Sequence, residues 1–147
     1  MARLCPCNQS RSSESRGINV AVDVSLNQAA NLLVVKISGV TDAQTVADAY
    51  AQAVASPEHK QNMNAMWDIT GTKLSQYSIG EVRELARLIG QYSKQRGKDY
   101  KVAMVTNNRG DYHLLKVYST FFRLAGSFRM RVFRDPQLAQ DWIETEG

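Results

Sequence analysis

The chain is 147 residues long, 44% hydrophobic and 22% charged, with a net charge of +4 at neutral pH. That length suits one domain, which buries about 68–70% of the surface its unfolded chain exposes and needs no disulfide or metal staple. No apolar run approaches the roughly 20 residues that cross a bilayer, and "MARLCPCNQSRSSESRG" has arginines without the apolar centre of a signal peptide; the expected compartment is the cytoplasm.

Residues 1–17 are expected to form a disordered tail and residues 18–147 one α/β domain. The only cysteines, Cys5 and Cys7, lie in that tail. Two thiolates make half of a tetrahedral zinc site, and the nearest histidine, His59, is far along the chain, so no metal or other cofactor is expected. "INVAVDVS" alternates Ile18, Val20, Val22 and Val24 with polar or small residues, the period of a half-buried strand. "LLVVKISG" is a second strand close behind it, so an antiparallel hairpin is predicted. Thr41 and Gln44 have capping-box spacing, and Val46, Ala49, Tyr50, Ala53 and Val54 recur at helical intervals up to Ser56-Pro57. "NAMWDIT" reads as a buried strand. Ser78 and Glu81 form a second capping box, ahead of an apolar stripe of Ile79, Val82, Leu85, Ala86, Ile89 and Tyr92 that is predicted to continue to Arg96 and stop at Gly97. "YKVAMVT" is a strand, "NNRGD" a loop, "YHLLKVYSTFFRLAG" a helix and "FRMRVFR" a strand. Asp135-Pro136 opens a last helix with Leu138, Ala139, Trp142 and Ile143 on its apolar side. The fold class predicted is a single mixed sheet of about five strands, with the hairpin at its N-terminal edge and about four helices joining parallel strands.

Three stretches carry a resemblance to a known family. "LLVVKISGVTDAQT", "AMWDITGTKL" and "RMRVFRDPQLAQDWI" resemble the second strand and first helix, the central strand with its turn, and the closing strand and helix of the STAS domain, the sulfate-transporter and anti-sigma-factor-antagonist family. The likeness covers roughly residues 18–145 and is greatest to the branch that is also similar to lipid-carrier domains. It implies a non-enzymatic regulatory domain that binds another protein, as in partner-switching signalling. In the antagonists a serine in an Asp-Ser-small-Gly motif after the central strand accepts phosphate. Counted from Asp68, that position holds Tyr77, or Gln76 one register earlier, and the motif's aspartate and glycine are missing. Ser75 and Ser78 lie on either side, so Ser75, Tyr77 and Ser78 form the candidate phosphorylation site or contact turn. Ser78 also has a sufficient structural role as a helix cap, and Tyr77 either is exposed for contact or packs on the sheet end.

No phosphate loop, metal-ligand spacing or nucleophile constellation is present, and Asp68 at a strand end has no acid partner nearby, so an enzyme is not expected. His59 is expected to face solvent and His113 to lie near the polar side of the third helix. Lys94, Arg96, Lys98, Lys101, Arg109, Lys116, Arg123, Arg129, Arg131 and Arg134 are opposed within their stretch only by Asp99 and Asp111, which favours an anionic partner. On a helical wheel, Leu114, Tyr118, Phe121 and Ala125 centre the apolar face of the third helix, and Leu115 with Phe122 make a shoulder beside Lys116 and Arg123. Asp68, Leu115, Lys116, Phe122 and Arg123 are therefore the candidate binding surface. The expected partner is another protein; the alternative is a lipid or other amphipathic anion, at a membrane surface in one version. A homodimer is compatible with the sequence, and no nucleic acid is expected.

Overall fold

The computed structural model describes residues 21–124 and 126–145; the tail expected at residues 1–17 lies outside them. The predicted hairpin forms from β1 (Ala21–Asn27) and β2 (Leu32–Ser38), antiparallel, with Val24 opposite Val35. Its turn closes through the Asn27 side chain, which accepts from the Ala30 amide at 3.0 Å. From β2 onward the sheet is parallel: β3 (Asn64–Gly71), β4 (Lys98–Val105) and β5 (Ser127–Phe133) follow in spatial order β1-β2-β3-β4-β5. The class is the predicted one, a single mixed five-stranded α/β sheet.

Each crossover steps the same way along the sheet. Right-handed crossovers that never reverse put their helices on one face. Accordingly α1 (Ala43–Val54), α2 (Ile79–Gly90) and α4 (Arg109–Arg123) pack side by side, with the short α3 (Ser93–Arg96) between α2 and β4. Beneath them lie Leu33, Val35, Trp67, Ile69, Val102 and Met104. The other face is covered by α5 (Pro136–Glu144), whose Ala139 and Ile143 pack with Leu32, Met66, Ala103 and Val105. Strand β4 is covered on both sides, which is why its sequence is a near-continuous apolar run rather than an alternation. No helix among the described residues is long and apolar enough to cross a membrane.

Several sequence expectations shift in detail. The cap of α1 is Asp42, not Thr41: its carboxylate accepts from the Thr45 amide at 2.7 Å, and that bond lowers its pKa. Helix α2 stops at Gly90 instead of running to Gly97, and chain reversal is completed by α3. Gly97 is indispensable there, because its φ is 97° and a Cβ would stand 2.1 Å from the Asn62 side-chain oxygen. "NNRGD" is not a loop throughout: Asn108 caps α4 and Arg109–Asp111 form its first turn. Leu138 faces solvent on α5, and Ile79 on α2.

The largest correction concerns α4. Leu115 and Phe122, expected on an exposed shoulder, are 2% and 6% exposed and sit in the main core. The buried face is centred on Asp111, Leu115, Tyr118 and Phe122, a run spaced by four, three and four residues. Counting only apolar side chains misplaced its centre, because Asp111 and Ser119 also belong to it and satisfy their polar atoms within the fold, Asp111 on the Leu74 amide and Ser119 on the Lys116 carbonyl. Truncation inside this core leaves a cavity, so Leu115→Ala is expected to cost about 2–5 kcal/mol and Phe122→Ala about 3–5 kcal/mol. Urea denaturation reads both as a lowered midpoint at an unchanged slope.

Candidate functional site

The carboxyl ends of β2, β3 and β4 release three loops, and polar bonds tie them together. The Gly39 amide donates to the Gly71 carbonyl at 3.0 Å, and the Thr72 hydroxyl donates to the Gly39 carbonyl. Tyr77 packs half-buried over this junction and accepts from the Thr41 amide at 3.0 Å through its hydroxyl, which also lies 3.3 Å from the Thr72 oxygen and 3.4 Å from the Gly39 carbonyl. The 3₁₀ turn Leu74–Gln76 is held by Asp111, which accepts from the Leu74 amide at 3.0 Å although it is itself buried. Asp111 is thus an internal strut between the β3–α2 turn and α4, not a surface charge opposing the cations.

Of the three hydroxyl residues expected in this turn, Ser75 is exposed and Tyr77 is the packed member. Ser78 makes the predicted capping box: its oxygen accepts from the Glu81 amide at 3.1 Å, and the Ser78 amide donates to the Glu81 carboxylate at 2.7 Å. Asp68 does not join them. It alternates with Trp67 and Ile69 and so points to the opposite sheet face, where its carboxylate accepts from the Thr70 amide at 3.0 Å and hydroxyl at 2.7 Å. Lys116 and Arg123 are exposed on α4, with the Lys116 ammonium 5.5 Å from the centre of the Tyr112 ring.

Beneath Tyr77 is a cavity of about 70 Å³ walled by Ile37, Val46, Trp67, Leu74, Val82 and Met104. Cavities of about 150 Å³ hold a benzene ring. This one is less than half that size, so it admits no acyl chain while the turn is closed. The surface above is a different matter. Val40, one residue before Thr41, and Ile79, two after Tyr77, are each 51% exposed. Val40 thus belongs to the β2–α1 loop that the Tyr77 hydroxyl holds at Thr41, and Ile79 is the first residue of α2.

A second polar cluster lies at the opposite end of the sheet. Arg96 is 1% exposed. Its guanidinium donates to the Tyr50 hydroxyl at 2.9 Å and to the Met63 carbonyl at 2.7 Å, meets His59 Nε2 at 3.1 Å, and stacks 4.3 Å from the centre of the Tyr100 ring. The single ion pair among the described residues is Arg87–Glu84, so Arg96 is held by neutral partners. A guanidinium has no lone pair to offer; His59 Nε2 must accept, which places the proton of the neutral ring on Nδ1. Burial, and then the Arg96 charge, depress the His59 pKa. Burial pushes the Tyr50 phenol up to about 12. His59 is thus half-buried against a cation rather than facing solvent. Nothing in the sequence signals this cluster, whose hydrogen bonds join residues 33 to 46 apart.

The chain matches no protein-family model, no curated protein and no solved structure.

Two expected outcomes follow from these bonds. Tyr77→Phe removes the acceptor of the Thr41 amide and is expected to cost about 0.5–1.5 kcal/mol, read by denaturation, with backbone exchange rising first at Thr41. The second concerns His59. A histidine pKa depressed by folding contributes stability that is fully present above the unfolded value of about 6.5 and is lost as pH falls through the folded value. The melting temperature is therefore expected to fall on acidification below about pH 6.5, and His59→Gln is expected to flatten that part of the profile.

Proposed function

We propose that this chain is a STAS-like, non-catalytic interaction domain that binds another protein at the end of the sheet built around Tyr77. The observation that carries the reading is the exposure of Val40, in the β2–α1 loop held at Thr41 by the Tyr77 hydroxyl, and of Ile79, the first residue of α2. Aliphatic contacts on preorganised loops lose little conformational entropy on association, which is what a docking surface requires. The family resemblance of the sequence supports the same place, because the turn after the central strand is where the antagonists carry the serine that accepts phosphate. The occupant of the phosphorylated position differs, however. Tyr77 spends its hydroxyl on the Thr41 amide, so a switch in this chain falls to Ser75, which is exposed, or to Ser78, whose phosphate would sit at the N-terminus of α2 where negative charge is favoured.

The test is site-specific photo-crosslinking in the native host. A photoreactive residue at Ile79 is expected to give a discrete adduct, and one at Lys36, on the far sheet face, none. The protein so identified, once purified, is expected to bind the wild-type chain and to lose at least about tenfold in affinity to Val40→Asp/Ile79→Asp, a loss of about 1.4 kcal/mol. Equal binding by that folded variant ends the proposal.

A further inference from the structure

Away from the Tyr77 end, the outer surface of α2 and α4 carries an unusual combination. Val117 is 60% exposed and Leu124 83%, the most exposed large apolar side chain of the described residues. With half-buried Phe121 between them they are spaced by four and three residues, so they form one apolar ridge along α4. Beside the ridge runs an open groove of about 760 Å³ between α2 and α4, walled by Arg83, Arg87, Phe121 and Leu124. The Arg83 guanidinium lies 5.5 Å from the centre of the Phe121 ring. Lys116 and Arg123 are exposed on α4.

The carboxylates of these two helices are already engaged. Glu84 pairs with Arg87 at 2.6 Å, Glu81 closes the capping box on the Ser78 amide, and Asp111 is buried on Leu74. Arg83, Lys116 and Arg123 make no ion pair among the described residues. The face is thus a projecting aliphatic ridge flanked on both sides by cations on long flexible stems. That is the pattern of a surface which meets anionic lipid: apolar side chains enter the interface while cations stay at headgroup level. A protein partner needs a cavity matched to each projecting side chain, whereas a fluid interface receives them in any register.

We propose that the α2–α4 face docks on an anionic lipid surface, with Val117 and Leu124 inserted and Arg83, Lys116 and Arg123 at the phosphates. The groove gives a headgroup room beside Arg83 and Arg87. The apolar contact expected on α4 from the sequence is relocated by this from Leu115 and Phe122 to Val117 and Leu124, with Lys116 and Arg123 unchanged. Neither loop of the Tyr77 end takes part, so this proposal and the protein-binding one stand or fall separately.

The experiment is sedimentation of the full chain with phosphatidylcholine vesicles, with and without roughly one third phosphatidylglycerol, the anionic lipid supplying the surface potential. Binding is expected to the anionic vesicles alone, and to fall as salt is raised from about 0.1 to 1 M and screening shortens from about 10 to 3 Å. Val117→Ser/Leu124→Ser is expected to lose at least about tenfold, with an unchanged melting temperature because both side chains are already in water. Arg83→Gln/Arg123→Gln is expected to lose about 25-fold, at about fivefold for each cation near an anionic surface; Lys36→Gln, on the other sheet face, is the control and leaves binding unchanged. Absence of binding to the anionic vesicles overturns the proposal. So does equal binding by Val117→Ser/Leu124→Ser, which would trace the attraction to charge elsewhere on the chain. Capture of a soluble glutamate- and leucine-rich peptide without vesicle binding would assign the face to an acidic protein instead, and overturns it as well.

Discussion

A parallel sheet has to be covered on both faces, and in this fold one helix of nine residues does that on the second face. The three crossover helices are all committed to the first face by the sequential strand order. What fixes α5 is Lys101. Its ammonium, on a 4%-exposed side chain, donates to the Trp142 and Thr145 carbonyls at 2.8 and 2.5 Å and to the Thr145 hydroxyl at 3.0 Å. These acceptors lie at the C-terminal end of α5, where the macrodipole favours a cation, and the Trp142 carbonyl also accepts from the Thr145 amide and hydroxyl. A lysine in the middle of β4, a strand covered on both faces, would be costly without them. With them, the same side chain neutralises the helix end and anchors α5 to β4, so that Ala139 and Ile143 can close over Met66, Ala103 and Val105.

Arg96 solves the same problem at the base of the other face. Burial of an unpaired charge ordinarily costs several kcal/mol, and here an arene, a phenol, an imidazole and a carbonyl replace the carboxylate. The arrangement binds α1 through Tyr50, the approach to β3 through His59 and Met63, and β4 through Tyr100. Both buried cations thus join elements distant in sequence. The mild surplus of positive charge is correspondingly not all on the surface: Arg96 and Lys101 are internal, as is Asp111. Eight cations between Lys94 and Arg134 remain exposed, against Asp99 alone.

The fold was legible because its determinants are local. The apolar run of "LLVVKIS", the capping box of Ser78 and Glu81, and the Asp135-Pro136 start of α5 each act within a few residues, and each element appears where the sequence places it. Less legible were features decided by partners far along the chain. Nothing around Arg96 in the sequence announces Tyr50, and nothing in "NNRGD" announces that Asp111 is destined for the Leu74 amide. The α4 face was misjudged for the same reason. Its wheel gives the width of the apolar arc, but which part is covered depends on α2 and the 3₁₀ turn packed against it. Tyr77 stood between two options, and the Thr41 amide, 36 residues away, decides for packing on the sheet end.

The geometry of α2 and α4 sets how two surfaces can coexist on so small a domain. Both helices begin beside the Tyr77 junction, α2 one residue after Ser78 and α4 with Asp111 in its first turn. Both end at the groove, where Gly90 and Leu124 are among the lining residues. At 1.5 Å per residue the 12 residues of α2 separate its two ends by about 18 Å. Ile79 and Leu124 therefore lie toward opposite ends of the helix pair, while Arg83, one turn from Ile79, adjoins both surfaces. The two ends are nonetheless mechanically joined, because Asp111 holds the turn that carries Tyr77 to the same helix that carries Val117 and Leu124. That hydrogen bond works beside packing, since Leu115, Tyr118 and Phe122 of α4 share the walls of one cavity with Leu74 and Tyr77.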